Sequence, residues 1–539
     1  RPSLSHGLRS PLLLKDMDRA ARRLADALAA GERIAVYGDY DVDGMTGAAL
    51  LVVFFRALGV EPLLHVAHRA REGYGLHAGA LRALRDAGAR VVVTADLGTA
   101  NVAELGLAAD LGLDVIVCDH HHAPAERPPA WALLNPFQPG CSFPFKGLSG
   151  AGVVFYLLMG LRMELRARGH AGLPDLRPYL DLVALGAVAD VVPLREENRV
   201  LVAHGLRRLD ETQRPGLQAL KELALVESAS ARGIGFRLAP RLNAGGRLAD
   251  ARTAVELLTT ASQQRGRELA AILEVYNAER RAIEDAMLRD AVAMAEEQVG
   301  RDGAWTTLVA REGWHPGVAG IVAARLCERF HRPAVVIALA GDVGRGSGRS
   351  VRGVDLHAAL AECRDVLEAF GGHRQAIGLT VRREQVPVLA ARFEASVRRI
   401  TTPADLEPLL QVDAEVSLTA MTPALGVALA GLEPHGMGNP EPVFVARGVG
   451  VESVRMVGST ERLHLKLRLR QDGRTVPAIG FGLGHLPVNA GDVVDVVFTP
   501  RLSRWQGRDR LELEVGDVRL SAARNLPQHI EKTRTLAVP

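Results

Sequence analysis

Arg33-Ile34-Ala35-Val36-Tyr37 runs directly into Gly38-Asp39-Tyr40-Asp41-Val42-Asp43. A short β-rich run that stops at a glycine and then alternates three aspartates reads as a strand with acid at its carboxyl end. Similar β-rich runs follow at 62–67, 90–95 and 114–118, with helical stretches such as 45–58 and 78–87 between them. Strands alternating with helices predict a parallel, doubly wound sheet. In such sheets the ligand crevice lies outside the carboxyl ends of the strands. Here those ends carry Asp39, Asp41 and Asp43, then Asp96, then Asp119-His120-His121-His122. A further helical stretch, 178–189, delivers Asp190.

Beyond this α/β domain the pattern changes twice. Apolar residues Leu269, Ile272, Leu273, Tyr276, Ile283, Met287 and Leu288 recur at helical spacing over 263–298, opposite a charged face, and predict a long connecting helix. A second α/β unit spans about 306–399, with a buried-type strand at 333–339. From about 408 the chain reads as all-β: Leu463, Leu465, Leu467 and Leu469 alternate with His464, Lys466, Arg468 and Arg470, a half-buried strand with a basic outer face. The expected division is 1–225 for the first domain, 226–304 for the linker and long helix, 305–402 for the second domain, 403–525 for the β-domain and 526–539 for a tail.

With 539 residues the chain exceeds one core, and its 48% hydrophobic and 24% charged content is ordinary for a globular protein. The net charge of +3 does not by itself imply a polyanionic partner, although 60 of the 65 basic residues are arginine, which suits bidentate phosphate contacts. Cys118, Cys141, Cys327 and Cys363 stand far apart with no CxxC pair, which argues against thiolate zinc or a disulfide framework and fits a reducing cytosol. The apolar run 48–60 is interrupted by Arg56 and too short to cross a bilayer, so no membrane association is expected. The chain starts at Arg1 without Met.

Three carboxylates as close as Asp39, Asp41 and Asp43 repel one another unless a cation neutralises them. Oxygen ligands suit Mg²⁺ or Mn²⁺, and an added imidazole favours Mn²⁺. Asp96, His120 and Asp190 supply the remaining ligands for a pair of divalent cations, an arrangement that cleaves phosphodiesters. Taken singly, an Asp-rich loop is often a turn or a helix cap and a His run a surface tract. Three such clusters at successive strand ends favour the metal site.

At this point the residues resemble a family. Asp41-Val42-Asp43-Gly44, Ala95-Asp96-Leu97-Gly98, Asp119-His120-His121 and Gly186-Ala187-Val188-Ala189-Asp190 are similar to the four motifs of the DHH phosphoesterases. RAREGYGL (69–76), PRLNAGGRL (240–248), GGHRQAIG (371–378) and LEPHGMGNPEPVF (432–444) resemble the RecJ-type branch, over about 12–520. Leu97 stands where relatives often carry a small polar residue or Cys. The resemblance implies a DHH domain, a DHH-associated domain and an OB-fold. It also implies a cytoplasmic, monomeric exonuclease acting 5′→3′ on single-stranded DNA by two-metal hydrolysis, in repair and recombination, with a single-strand-binding protein and a helicase as partners. One metal would be held by Asp39, Asp41 and Asp96, and the second by Asp43, Asp96, His120 and Asp190. Asp119 would orient an imidazole from behind, His121 would meet the scissile phosphate or leaving group, and His122 would be catalytic or structural.

Other residues suit gripping a strand. Gly344-Arg345-Gly346-Ser347-Gly348-Arg349-Ser350 reads as a glycine-rich, anion-facing loop. By resemblance, Ser347 and Arg349 form a 5′-phosphate pocket that Arg69, Arg241 and Arg247 complete, Gly372 and His373 lie close to substrate, and Tyr74 stacks on a base or is structural. In the β-domain, Trp505 among Arg501, Arg504, Arg508 and Arg510 is the stacking candidate. Two other readings stay open: a phosphodiesterase of short oligonucleotides or cyclic dinucleotides, and a non-catalytic DNA-binding scaffold.

Overall fold

The computed structural model describes residues 2–521 except 70, 125, 460, 461, 506 and 507, with backbone alone at 301, 302, 462, 503–505, 508 and 509. The described chain forms two compact units, one of residues 2–408 with 436–438, the other beginning at 409.

The first unit opens with the expected parallel sheet. Strands β1 (Arg33–Gly38), β2 (Leu63–Val66), β3 (Ala89–Ala95), β4 (Asp114–Cys118) and β5 (Ala132–Leu134) lie in the order β2-β1-β3-β4-β5. The three-residue β5 is too short to leave a sequence pattern. Alternate residues feed two cores. Ile34, Val36, Val91, Val93 and Ile116 pack beneath the helices Met17–Ala30, Val42–Ala57, Gly150–Ala167 and Leu180–Ala189, while Ala35, Val92, Val115 and Val117 face the helices Ala78–Asp86 and Val102–Asp110. Burial on both faces explains why these strands read as continuous apolar runs. The order reverses between β1 and β3, and at such a switch point the carboxyl ends open a crevice.

The connecting helix runs from Gln263 to Asp302, four residues beyond the expected end, and leads into a second sheet. Strands β6 (Thr307–Glu312), β7 (Ala334–Ala340), β8 (Val343–Arg349), β9 (Leu367–His373) and β10 (Ala376–Arg382) lie in the order β6-β7-β8-β10-β9. The glycine-rich segment read above as a loop is therefore corrected to strand β8, at the centre of this sheet. Gly344, Gly346 and Gly348 share one face, where the side chains of Ile337, Leu379 and Ile377 from the neighbouring strands fill the space a Cβ would need. Arg345, Ser347 and Arg349 consequently share the other face.

In the second unit, β11 (Ala414–Glu415), β12 (Phe444–Ser459), β13 (Arg462–Gln471), β14 (Arg474–Gly480), β15 (Val493–Trp505) and β16 (Arg508–Leu520) form a sheet in the order β11-β12-β13-β14-β16-β15. Pairing of β12 with β15 closes it into a barrel. Leu465, Leu467 and Leu469 are buried inside it, as their alternation predicts, whereas Leu463 near the start of β13 is exposed.

Candidate metal centre

Main-chain hydrogen bonds fix each acid at its strand end. Asp39 N donates to Ala95 O at 3.2 Å, Asp96 N to Cys118 O at 2.9 Å and Asp119 N to Leu134 O at 3.1 Å, so each residue adds one rung to the parallel ladder. Asp41 caps the helix Val42–Ala57, accepting from Gly44 N at 3.0 Å. Asp43, one turn in, accepts from Gly150 N at 2.5 Å and Ala151 N at 3.0 Å, at the positive end of the helix Gly150–Ala167. Asp190 ends the helix Leu180–Ala189.

These residues converge. Ligand atoms of Asp39, Asp41 and Asp96 lie within 4.8 Å of one another, as do those of Asp43, His120 and Asp190, and those of Asp96, His120 and His121. His120 Nε2 stands 3.1 Å from Asp96 Oδ1, 3.4 Å from Asp190 Oδ2 and 3.9 Å from Asp43 Oδ2. Burial and neighbouring carboxylates raise the carboxyls of Asp39 and Asp96 well above the usual range, Asp43 to about 7 and Asp190 to about 9. Burial and the adjacent His121 lower His120 to about 4, which keeps a neutral imidazole facing the acids. The donor set fits divalent cations. Among the described residues, buried Asp39 Oδ1, Asp96 Oδ1 and His120 Nε2 have no hydrogen-bond partner, an expensive condition unless an ion meets them. The His120 ring also bonds the backbone of Leu148, a support common behind metal-bound histidines.

Asp119 is fully buried and engages the next residues in turn. Its Oδ1 accepts from His120 N (2.8 Å), His121 N (3.1 Å) and His121 Nδ1 (2.7 Å), and its Oδ2 from Thr99 N (2.9 Å). Burial opposes a charge on His121, but the bond to Asp119 prevails and lifts its pKa to about 9. The Tyr74 hydroxyl lies 2.9 Å from His121 Nδ1 and 3.3 Å from Asp96 O, with its ring partly exposed. His122 meets His373 of β9, with ring centroids 5.4 Å apart.

A group of guanidiniums borders Asp41. Arg69 lies over the Tyr40 ring at 5.2 Å, and Arg247 Nη1 donates to Gly317 O at 2.8 Å. Burial and the charges of Arg69, Arg280 and Arg349 push Arg247 down to about 10; burial and Arg69 also lower Arg349. Like charges gathered this way favour an anion between them. Ser347 and Arg349 face Gly320 in the helix Pro316–Phe330, whose first turn is capped by His315, accepting from Gly317 N at 3.1 Å. That helix start adds a positive end to the group. His315 escaped the sequence reading, although His315-Pro316 before a helical run is a start signal. Arg345 is exposed further along β8. Arg241 is held by Glu274 of the long helix at 2.5 Å and does not join the group. Gly372, at φ 137°, packs against the Ala376 carbonyl in the β9–β10 hairpin. The Trp505 side chain lies outside the described residues.

A five-stranded parallel sheet with acids at its switch point, followed by a second sheet across a long helix, defines a DHH-type protein. The family model "DHH family, N-terminal domain" matches residues 33–187, "DHHA1 domain" matches 302–399 and "RecJ OB domain" matches 412–517. The chain is 36% identical to the single-stranded-DNA-specific exonuclease RecJ of Salmonella typhimurium, covering 94% of this chain and 90% of that one. It is 37% identical to RecJ of Bacillus subtilis over 95% of its own length, and spans 64% of that relative. The crystal structure of RecJ in complex with Mn²⁺ from Thermus thermophilus superposes with a TM-score of 0.82 at 33% identity, covering 95% of this chain and 72% of the other. The chain belongs to the RecJ family.

Proposed function

We propose that this chain is a single-stranded-DNA-specific exonuclease that hydrolyses phosphodiester bonds from the 5′ end and releases 5′-mononucleotides, in repair and recombination. The observation that carries the reading is the meeting of Asp39, Asp41, Asp43, Asp96, His120 and Asp190 at one crevice, with buried polar atoms left unmatched. In this reading one cation, Mn²⁺ or Mg²⁺, is held by Asp39, Asp41 and Asp96 and the other by Asp43, Asp96, His120 and Asp190. Two divalent ions held there would supply water activation and charge stabilisation at the phosphoryl and leaving oxygens.

The chain's own residues do the rest. Asp119 fixes the orientation of His121, which faces the reacting phosphate. The Tyr74 hydroxyl meets the same His121 nitrogen that Asp119 holds. Arg69, Arg247, Ser347 and Arg349 receive the terminal 5′-phosphate, and that capture sets the polarity and the size of the product. The reading divides the chain near 1–225, 226–304, 305–402 and 403–525, and Trp505 with the basic face of the barrel binds the strand farther on. A single-strand-binding protein and a helicase serve as partners of a monomer in the cytoplasm. Among the described residues no helix is long and apolar enough to cross a membrane.

The test is digestion of a 5′-phosphorylated single strand with Mn²⁺. Mononucleotides released from the 5′ end support the reading. Binding without cleavage would replace it with a scaffold, and cleavage restricted to dinucleotides would replace it with a short-oligonucleotide phosphodiesterase.

A further inference from the structure

Beside the acids stands a group of rings that the metal reading leaves unused. The His122 ring lies 5.0 Å from Phe137, tilted by 42°, and 5.4 Å from His373, tilted by 56°. Phe137 is 40% exposed, and both histidines are exposed. An aromatic side chain of this size on a protein surface usually covers its faces, because burying it is favourable. Here the rings stay open at the edge of the catalytic crevice, one residue past His121.

Their position is not loose. Buried Asn135 donates from Nδ2 to Thr99 Oγ1 at 2.9 Å and to His121 O at 2.8 Å, and its Oδ1 accepts from Phe137 N at 2.8 Å. Thr99 N in turn donates to Asp119 Oδ2 at 2.9 Å. One hydrogen-bonded chain thus locks the backbone at Phe137 to the same carboxylate that orients His121. His373 approaches from the second sheet and meets the His122 ring, so residues of both sheets contribute to the group. The guanidinium group borders the Asp41 side of the acids, whereas the rings border the His121 side. A strand anchored by its end phosphate and crossing the acids passes these rings.

We propose that Phe137 and His122, with His373 opposite, form a stacking seat for a nucleobase flanking the scissile phosphate. Every base presents a π-face, so such a seat grips any sequence while holding the reacting phosphate in register. The inference rests on the exonuclease reading above. Its test is kcat/KM for release of the first nucleotide from a 5′-phosphorylated oligonucleotide with Mn²⁺, using the full chain. The strand is compared intact and with an abasic site at nucleotide one or two. Phe137→Ala is expected to lower kcat/KM about 10-fold on the intact strand. An abasic site at one of the two positions lowers the unaltered enzyme by a similar factor, with no further loss when the two changes are combined. Phe137→Trp restores the rate, and Phe137→Leu repeats the comparison should Phe137→Ala unfold early. Losses that simply multiply at both positions would overturn the stacking seat alone. No release by the unaltered chain would overturn the exonuclease reading and this inference with it.

Discussion

Asp96 sits at the switch point in the left-handed region, φ 67°, with its carboxylate within reach of both halves of the acidic cluster. Aspartate and asparagine tolerate that backbone better than alanine, which loses about 1–2 kcal/mol there. Asp96→Asn therefore separates chemistry from folding. It is expected to lower Mn²⁺-dependent cleavage on the order of 1000-fold, the scale of lost electrostatic stabilisation in an active site, while single-strand affinity and thermal unfolding stay near the original. Activity within tenfold of the original would remove Asp96 from the bridging role. Arg349 offers a second separation. Among the described residues it forms no ion pair, and Arg69 lies near enough to disfavour its charge, so truncation removes a repulsion as well as a donor. Arg349→Ala should fold normally and lose most of its preference for a 5′-phosphorylated over a 5′-hydroxyl end. An unchanged ratio in paired digestion assays would take this arginine out of the pocket. Most of the acids were legible because Asp39, Asp96 and Asp119 each follow a strand directly, with Asp41 and Asp43 close behind the first; Asp190 instead ends a helix. Asn135, Thr99 and Phe137 were not, because they matter through hydrogen bonds across folded segments and carry no local pattern.

At the scale of elements, the site depends on how closely the helix Gly150–Ala167 approaches the sheet. A Cβ on Gly150 would lie 2.6 Å from Asp96 Cβ and 2.7 Å from Asp96 Oδ1, while Gly150 N itself binds Asp43. Alanine is the better helix former by roughly 0.5–1 kcal/mol, so Gly150→Ala should leave helical content intact. It must nevertheless displace Asp96, and the expected result is a cleavage rate at least tenfold lower with a higher Mn²⁺ concentration for half-activation. A Mn²⁺ titration identical to the original would show that the two backbones have room to spare. Close approach also explains where reading by element succeeded and failed. Strands β1, β3 and β4 announced themselves because burial on both faces demands unbroken apolar runs. Strand β8 did not, because its buried face is made of glycine. Residue type suggested a turn there, and only the alternation with Arg345, Ser347 and Arg349 carried the strand period of two. The larger side chains of Ile337, Ile377 and Leu379 fill the room the glycines leave, which no local window can report.

Across the whole molecule, the order of domains was legible because the hydrophobic period changes along the chain, from α/β alternation to a long helical pattern and finally to strand alternation. The cost of assembling the acids was not, since it arises only once separate strand ends meet. That cost makes stability depend on pH in an unusual direction. Asp43 and Asp190 titrate at about 7 and about 9 in the fold, against roughly 4 for a carboxyl in an unfolded chain. The fold therefore holds more protons than the unfolded chain between those values. Its stability is complete below about pH 4 with respect to these groups and is lost as pH rises through 7 and 9. A divalent cation supplies the missing positive charge and competes with the protons. Mn²⁺ should thus raise the unfolding temperature little at pH 5.5 and distinctly at pH 8.5. At a hundredfold excess over its dissociation constant, the ion adds about 2.7 kcal/mol to the folded form. Thermal unfolding with and without Mn²⁺ at pH 5.5, 7 and 8.5 measures this directly, following the transition of the unit that carries the acids. A Mn²⁺ shift of the same size at all three values would mean that the carboxylates are already neutralised by something other than protons, and the account of the site as a cation-demanding cluster would fail.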